Sequence, residues 1–449
     1  MSTHNGEKRE TGADEQEQGS SKKPKRSRRW ALIVVALSVA MLAWSCVPTG
    51  YLTSTPISKL STGEAVIAIR MGEARSQSGL SAPIHDNWIM LLDAQGKHTA
   101  ALLEEEKVGE LLWTERGISY GSEQWDYLTT EHGTRRDKLS GWNSSEVQRY
   151  ELSDGRIIVV FYEMDLAYQV DTIELDGSVT SVSTPGTRGD VGQCGDRILS
   201  IVDTKQLWRM KSEAFEAYSA QSGGDGEQPE ELSVVIQLND RDGDTPRLLG
   251  VAPMIDGLVS GQREFACEGD VITIPSVQTG DPRATRVMAE GREEGTMVLE
   301  RWDLSTGQRT IVPVIDEQEN PIEVNRDRSI FHYRGVQVGD EYRFISEGGD
   351  AFTVDLTSGR GRYLFTYQGT RINQRMVYQV SETGVYALED RWDDHHVTLS
   401  FTPWESGERR VVWTNSKLSG YLERPSFLDS HVREIEAFSI RPGWDGGAQ

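Results

Sequence analysis

Cys194 and Cys267 are the pair of residues best placed for covalent chemistry. They sit in similar frames, QCGDRILSI and ACEGDVITI, each just before a tight turn that opens an apolar run. Equivalent positions in neighbouring repeats lie close in space, so the two are expected to form a disulfide. That bond would stabilise by about 3–4 kcal/mol through loop entropy; two buried free thiols are the alternative. Asn239-Asp240-Arg241-Asp242-Gly243-Asp244 offers carboxylates at alternate positions, the hard oxygen donors that calcium prefers. Its glycine precedes the third acid and no terminal bidentate acid follows, so it reads as an acidic hairpin tip. His395 and His396 are adjacent, and neighbouring strand residues face opposite sides, which argues against a shared metal. No G-x-S-x-G, H-E-x-x-H, phosphate-binding loop or sialidase-type Asp-box occurs. No catalytic, cofactor-binding or metal-binding residue is therefore assigned, and no cofactor is expected. Asn143-Ser144-Ser145 matches an N-glycosylation acceptor, a short pattern common by chance.

The elements that would carry these residues follow a recurring beat. An alternating apolar segment, an acidic or hydroxyl residue, a glycine, a polar residue and a second alternating segment recur at Gly96, Gly133, Gly177, Gly243, Gly307, Gly359 and Gly407. Residues 146–184 show the unit most clearly: VQRYEL, RIIVVFY, LAYQVDTIEL and SVTSVST are four strands separated by SDG, EMD and DG. Asp-Gly suits hairpins because glycine accepts the positive φ of a primed turn. Four-stranded meanders of this size are propeller blades.

The expected fold is therefore all-β: a seven-bladed β-propeller, with six to eight blades allowed, built from four-stranded antiparallel blades. Blades are expected at 108–142, 146–184, 190–251, 260–313, 320–366 and 370–414. First hairpins turn at Gly117, Gly155, Gly195, Gly269, Arg328 and Gly384. The seventh blade would combine Ala65–Arg70, Trp88–Leu92 and His98–Leu103 with Glu434–Ile440, closing the ring. Closure removes the two free sheet edges that an open array would expose. Almost no helical periodicity is visible past residue 63.

Two hairpin types carry a family resemblance. LERWDLSTGQRTIVP and FTVDLTSGRGRYLF resemble the blade repeat of the pyrroloquinoline-quinone-like propellers. ELSDGRIIVVF resembles the Ser-Pro-Asp-Gly hairpin of the Tol-B-like propellers. Each likeness spans about a dozen residues and implies the propeller fold only. The tryptophan that usually ends the quinone-type repeat is missing after Gly307 and Gly359, so no quinone follows.

Preceding the repeats, residues 1–29 are polar and read as a disordered cytoplasmic tail ending in KKPKRSRR. Residues 30–47 form an uncharged run of 18, about 27 Å long as a helix. The basic cluster before it places the tail inside and the body outside. This run reads as a single-pass transmembrane signal anchor in the lipid bilayer. A lipoprotein signal is the alternative, with Cys46 lipidated after cleavage at Leu42-Ala43-Trp44-Ser45, although Trp44 and Ala43 depart from that pattern. A buried core helix is the third reading. Residues 48–62, rich in Ser, Thr and Pro, read as a stalk, residues 63–441 as the propeller, and 442–449 as a tail.

Of the formal charge of −23, residues 1–29 contribute +3 and the rest −26. So negative a body repels phosphate backbones, and nucleic acid is excluded as its partner. Two blades carry long connections between second and third strands, Lys211–Glu231 and Pro275–Gly295, which a propeller presents on one face. The sequence thus points to a membrane-anchored extracytoplasmic propeller that binds or scaffolds a protein or glycan partner. A propeller glycosidase or lyase, needing carboxylates or histidines that converge at the channel mouth, is the enzymatic alternative. A sensor signalling through its basic tail is the third.

Overall fold

A computed structural model of the protein describes residues 52–446, apart from 73–74, 77–86, 104–108, 140–144, 164–166, 186–189, 206, 208, 224–227, 240–245, 260–263, 282–293, 325–333, 347, 368–373, 392–395 and 426–429. The strands form seven antiparallel blades in the order the repeats require. Blade I takes its inner strand from the C-terminus: Ile435–Ile440 pairs with Ile67–Met71, followed outward by Asn87–Leu92 and His98–Leu103. Blade II runs Leu112–Thr114, Gly117–Gly121, Trp125–Thr130 and Gly133–Lys138. Blade III runs Ser145–Glu151, Ile157–Glu163, Ala167–Ile173 and Val179–Pro185. Blade IV runs Asp190–Cys194, Arg197–Asp203, Leu232–Gln237 and Arg247–Pro253. Blade V runs Ala266–Glu268, Val271–Thr279, Gly295–Asp303 and Gln308–Pro313, with short additions at Leu258–Val259 and Glu323–Val324. Blade VI runs Arg334–Val338, Glu341–Ile345, Asp350–Asp355 and Gly361–Thr366. Blade VII runs Gln374–Val380, Gly384–Arg391, His396–Pro403 and Arg410–Asn415. Each inner strand touches the next around the circle, and that of blade VII returns to that of blade I.

Each seam between neighbouring blades holds its own hydrophobic cluster, seven clusters for seven seams. Both faces of a blade are therefore buried. Successive strand residues point to opposite faces, so alternate residues serve alternate seams. In Ile157–Glu163, Ile157, Val159 and Phe161 join the II/III cluster, whereas Ile158 and Val160 join III/IV. This explains why the second strands are continuously apolar rather than alternating.

Most last hairpins turn where the glycine beat places them; Gly243 lies outside the described residues. The aspartate of the beat has a mechanical role. Asp303 Oδ1 accepts from the Ser305 and Thr306 amides and the Ser305 hydroxyl, and Asp355 Oδ1 accepts from the Ser358 amide and hydroxyl. These bonds hold both carboxyls below the usual aspartate range, the serine hydroxyl contributing most.

Three expectations are corrected. The first hairpin of blade VI turns at Gly339-Asp340, between Val338 and Glu341, not at Arg328; the glycine there has φ +60°, which the longer sequence frame concealed. Lys211–Gln221 is an α-helix, not irregular loop; its single inward ridge of Ala214, Phe215 and Tyr218 packs on the III/IV cluster and is too short to register as periodicity. The part of the expected stalk from Leu52 onward lies along the propeller instead. The Thr55 amide donates to Ala100 O, the Thr62 amide to Thr130 O, and Leu60 is wholly buried at the I/II seam. The tail 1–29, the apolar run 30–47 and Cys46 lie outside the described residues.

Two glycines separate backbone conformation from space. Gly195 and Gly359 both have positive φ, +59° and +72°, but only Gly359 is crowded, its added Cβ falling 2.8 Å from Pro313 O in blade V. Gly195→Ala is expected to cost about 1 kcal/mol and Gly359→Ala clearly more, measured as a shift in urea midpoint at constant m-value. Equal costs would mean that the seam between blades V and VI yields at this point.

Candidate functional site

The inner strands enclose a central channel of about 480 Å³. Its wall takes residues from all seven blades, among them Trp113, Gln148, Gln193, Phe265, Gln337 and Ser439. Several of these polar side chains reach across a seam to the neighbouring strand's backbone. Gln193 Nε2 donates to Glu151 O at 2.8 Å, and Gln337 Oε1 accepts from the Cys267 amide at 2.8 Å. Gln379 Oε1 accepts from the Ile440 amide at 2.7 Å, and Ser439 Oγ from the Trp113 amide at 3.2 Å. Inner strands of different blades are too far splayed to share a ladder, and these side chains supply the missing partners.

Cys194 and Cys267 lie across the IV/V seam, their Cα atoms 5.4 Å apart and their sulfurs joined. They are not equivalent positions. Cys194 pairs with Arg197 immediately at the turn, whereas Cys267 pairs with Ile272 one step further back. The stagger between neighbouring inner strands brings the offset residues together. Beside them Arg197 Nη1 meets Asp270 Oδ1 at 2.9 Å.

Where the inner strands begin, on the face of the second-to-third strand connections, charged residues converge. Arg149 is buried in the II/III seam. Its Nε and Nη2 donate to the two oxygens of Glu146 at 2.7 and 2.9 Å. Nη1 donates to Asp126 Oδ1 at 3.0 Å and to the Ser119 hydroxyl. Arg70, also fully buried, donates to Glu436 at 3.2 Å and to Gly121 O at 2.8 Å. A Cβ at Gly109 would fall 2.8 Å from Arg70 Nη1 and 3.1 Å from Glu146 Oε2. Glu146, Asp126 and Glu436 thus converge on arginines. Glu146 and Asp126 side chains are 0% and 3% exposed, closed to a substrate in this arrangement. This cluster was missed in the sequence, where acids among 70 Asp and Glu carry no positional signal.

Burial pushes the Asp126 carboxyl up to about 7; Arg149 opposes the shift and Glu146 adds to it. Burial pulls the Arg149 guanidinium down, but Glu146 and Asp126 outweigh it and keep it protonated.

Asp240, Asp242, Asp244 and His395 lie outside the described residues, and His396 starts the third strand of blade VII. Among the described residues no three His, Cys, Asp or Glu side chains are placed to hold a metal, and no helix is long and apolar enough to cross a membrane.

No protein-family model matches the chain, and no curated protein does. Solved structures of similar outline include the Pan2 WD40 domain of Neurospora crassa, 12% identical, with a TM-score of 0.40 over 74% of this chain and 85% of that one. A Synechocystis apocarotenoid oxygenase is 9% identical, with a TM-score of 0.43 over 82% and 91%. The β-propeller domain of the Trilobed protease from Pyrococcus furiosus is 9% identical, with a TM-score of 0.41 over 80% and 98%. The strand pairing itself carries the assignment of seven blades.

Two outcomes test the Arg149 cluster. Arg149→Met removes the buried bonds to Glu146 and Asp126 and is expected to cost about 3–5 kcal/mol in urea unfolding. For Asp126, the folded chain keeps the proton between about pH 4 and 7 while the unfolded chain has released it. This residue's contribution to stability therefore falls as pH rises through that window and is flat above it. Asp126→Asn should gain on the parent in thermal midpoint from pH 4 to 7. A gain by the parent instead would place an ionised, net-stabilising carboxylate there.

Proposed function

We propose that this propeller is a binding or scaffolding module, that it engages a protein or glycan partner through the face carrying the long connections of blades IV and V, and that residues 30–47 hold it at a membrane with the propeller outside. The observation that carries the first part is the helix Lys211–Gln221. It packs inward through Ala214, Phe215 and Tyr218 and leaves Lys211, Ser212, Glu213, Glu216 and Ser219 exposed. On blade V, next to it, Val271–Thr279 and Gly295–Asp303 run long toward the same face, their connection 282–293 lying outside the described residues. The helix packs on the third and fourth strands of blade IV, Leu232–Gln237 and Arg247–Pro253. Connections this long are uncommon in compact domains and serve either function or linkage.

The outward placement draws support from the uncharged run behind KKPKRSRR and from the cysteine pair, since disulfides persist in oxidising compartments. The alternative of Cys46 lipidation would give the same outward placement. A glycosidase or lyase is the weaker reading, because Glu146, Asp126 and Glu436 are bonded to Arg149 and Arg70. The pyrroloquinoline-quinone-like and Tol-B-like hairpins, rebuilt here as Asp-centred turns, suggest kinship of the repeat and no cofactor.

Reversing the exposed charges of the helix, Lys211→Glu, Glu213→Lys and Glu216→Lys, is expected to abolish crosslinking of the full-length protein to its envelope partner while leaving the thermal midpoint within a few degrees of the parent. Retained crosslinking would move the partner elsewhere. Alkylation without reduction gives the second check. In protein taken from its own cells, Cys194 and Cys267 should resist maleimide until dithiothreitol is added, and reduction should cost about 4 kcal/mol for a closed loop of this length. Ready labelling of both would place the propeller in a reducing compartment.

A further inference from the structure

Glutamine side chains bridge blade III to blade IV and blade V to blade VI. Between blades IV and V the joined sulfurs of Cys194 and Cys267 take that place. Unlike a hydrogen bond, this tie is opened by a defined chemical step, and its two ends are unlike. Cys194 is 1% exposed and belongs to the IV/V cluster. Cys267 is half-buried, and Glu268, Gly269 and Asp270 after it are exposed. The adjoining turns are open, since a Cβ on Gly195 or Gly269 would meet nothing within 4 Å.

That asymmetry sets a direction. A thiolate attacks one sulfur of a disulfide and expels the other, and access decides which is attacked. Attack runs along the S–S axis, from the side opposite the leaving sulfur. Cys194 lies behind, in the seam, and Cys267 in front, so a thiolate from solvent meets Cys267 Sγ first.

The leaving end has a counter-charge. Arg197 pairs with Cys194 across the turn. Its Nη2 lies 3.5 Å from Cys194 Sγ and 3.2 Å from Gly269 O, and Nη1 donates to Asp270 Oδ1 at 2.9 Å. Apolar surroundings disfavour a thiolate, whereas a neighbouring guanidinium favours it. A better-stabilised thiolate leaves faster. Asp270, on blade V, holds the guanidinium of blade IV in place, so the charge that assists cleavage spans the same seam as the bond. Packing there does not rest on the bond alone: the Phe265 ring fills the space over Gly192, 2.6 Å from where a Cβ would stand.

We propose that the Cys194–Cys267 bond is a site of thiol–disulfide exchange with a dithiol protein, Cys267 being the sulfur attacked and Cys194 the leaving thiolate held by Arg197. One thiolate of the dithiol bonds to Cys267 Sγ, and the electron pair of the broken S–S bond passes to Cys194 Sγ. The second thiolate of the dithiol then attacks its own sulfur in the mixed disulfide and expels Cys267. The dithiol is oxidised by two electrons, the cysteine pair is reduced by two, and the two protons of the dithiol end on the pair. The site lies at the first-hairpin turns of blades IV and V, at the opposite strand ends from the long connections, so its outcome is independent of the partner reading.

The test uses the full chain in detergent. Brief exposure to 2-mercaptoethanol, an acid quench, maleimide and peptide mapping should place mercaptoethanol on Cys267 and maleimide on Cys194 by about ten to one. Equilibrated with dithiothreitol, Arg197→Met should hold its disulfide about tenfold more strongly, a potential about 30 mV more negative. Arg197→Lys restores a cation and should return toward the parent. Reduced thioredoxin, as the dithiol probe, should open the bond in the folded parent faster than the chain unfolds. Adducts on Cys194 or equally on both cysteines, an equilibrium unchanged in Arg197→Met, or opening only at the unfolding rate would overturn the proposal and leave a purely structural bond.

Discussion

The pairing of Ile435–Ile440 with Ile67–Met71 is the constraint on which the other blades depend. Every blade buries both faces against its neighbours, so a blade with a missing neighbour exposes a whole hydrophobic cluster. The antiparallel register Ile67↔Ile440, Ala68↔Ser439, Ile69↔Phe438 makes the first and last segments one sheet. Ile67, Ile69 and Met71 then complete the VII/I cluster, while Ala68 and Ala437 complete I/II. Residues 52–62 reinforce the same place from outside, with Leu60 buried and the Thr134 hydroxyl donating to its carbonyl at 2.8 Å. Closure is thus held by contacts over 360 residues apart in sequence, such as Thr53 with the Tyr421 hydroxyl. So non-local a closure implies slow folding, because the loop entropy is lost before the last seam is gained.

At the channel the geometry changes the rules. Inner strands diverge from one another and cannot share backbone ladders, so side chains take over. Glutamines 193, 337 and 379 and Ser439 bridge four seams, the joined cysteines a fifth, and the Arg149 cluster ties blade III to blade II. Each device satisfies a buried polar group of the ring itself.

The blades were legible because their signal is local. A turn residue of Asp, Ser or Thr and, in most hairpins, a glycine of positive φ fall within a few residues of each other. Blade I was legible for a different reason: AVIAIR and EIEAFSI are each an orphan strand, and closure is the only arrangement that leaves neither unpaired. The helix at 211–221 was hidden because its apolar ridge spans barely two turns within a Glu- and Gly-rich stretch. The first turn of blade VI was displaced because Arg328 offered a plausible break eleven residues too early. The site was far less legible. That Glu146, Arg149 and Asp126 meet depends on the inter-blade angle, which no short stretch of sequence encodes.

The balance of charge in the ring bears on what the channel can accept. Arg70 and Arg149 are both buried at the mouth, yet each is consumed by carboxylates on the same or adjacent blades. The arginines therefore organise blades I, II and III without lending positive potential to the channel. A buried, fully paired cluster of this kind adds little net stability over apolar packing, since desolvation offsets the Coulomb gain. Its benefit is geometric: it fixes the angle at which three blades meet. With Arg149 and Arg70 neutralised in this way, the lining carboxylates Glu110, Glu151 and Glu264 set the sign of the channel wall, which is mildly acidic.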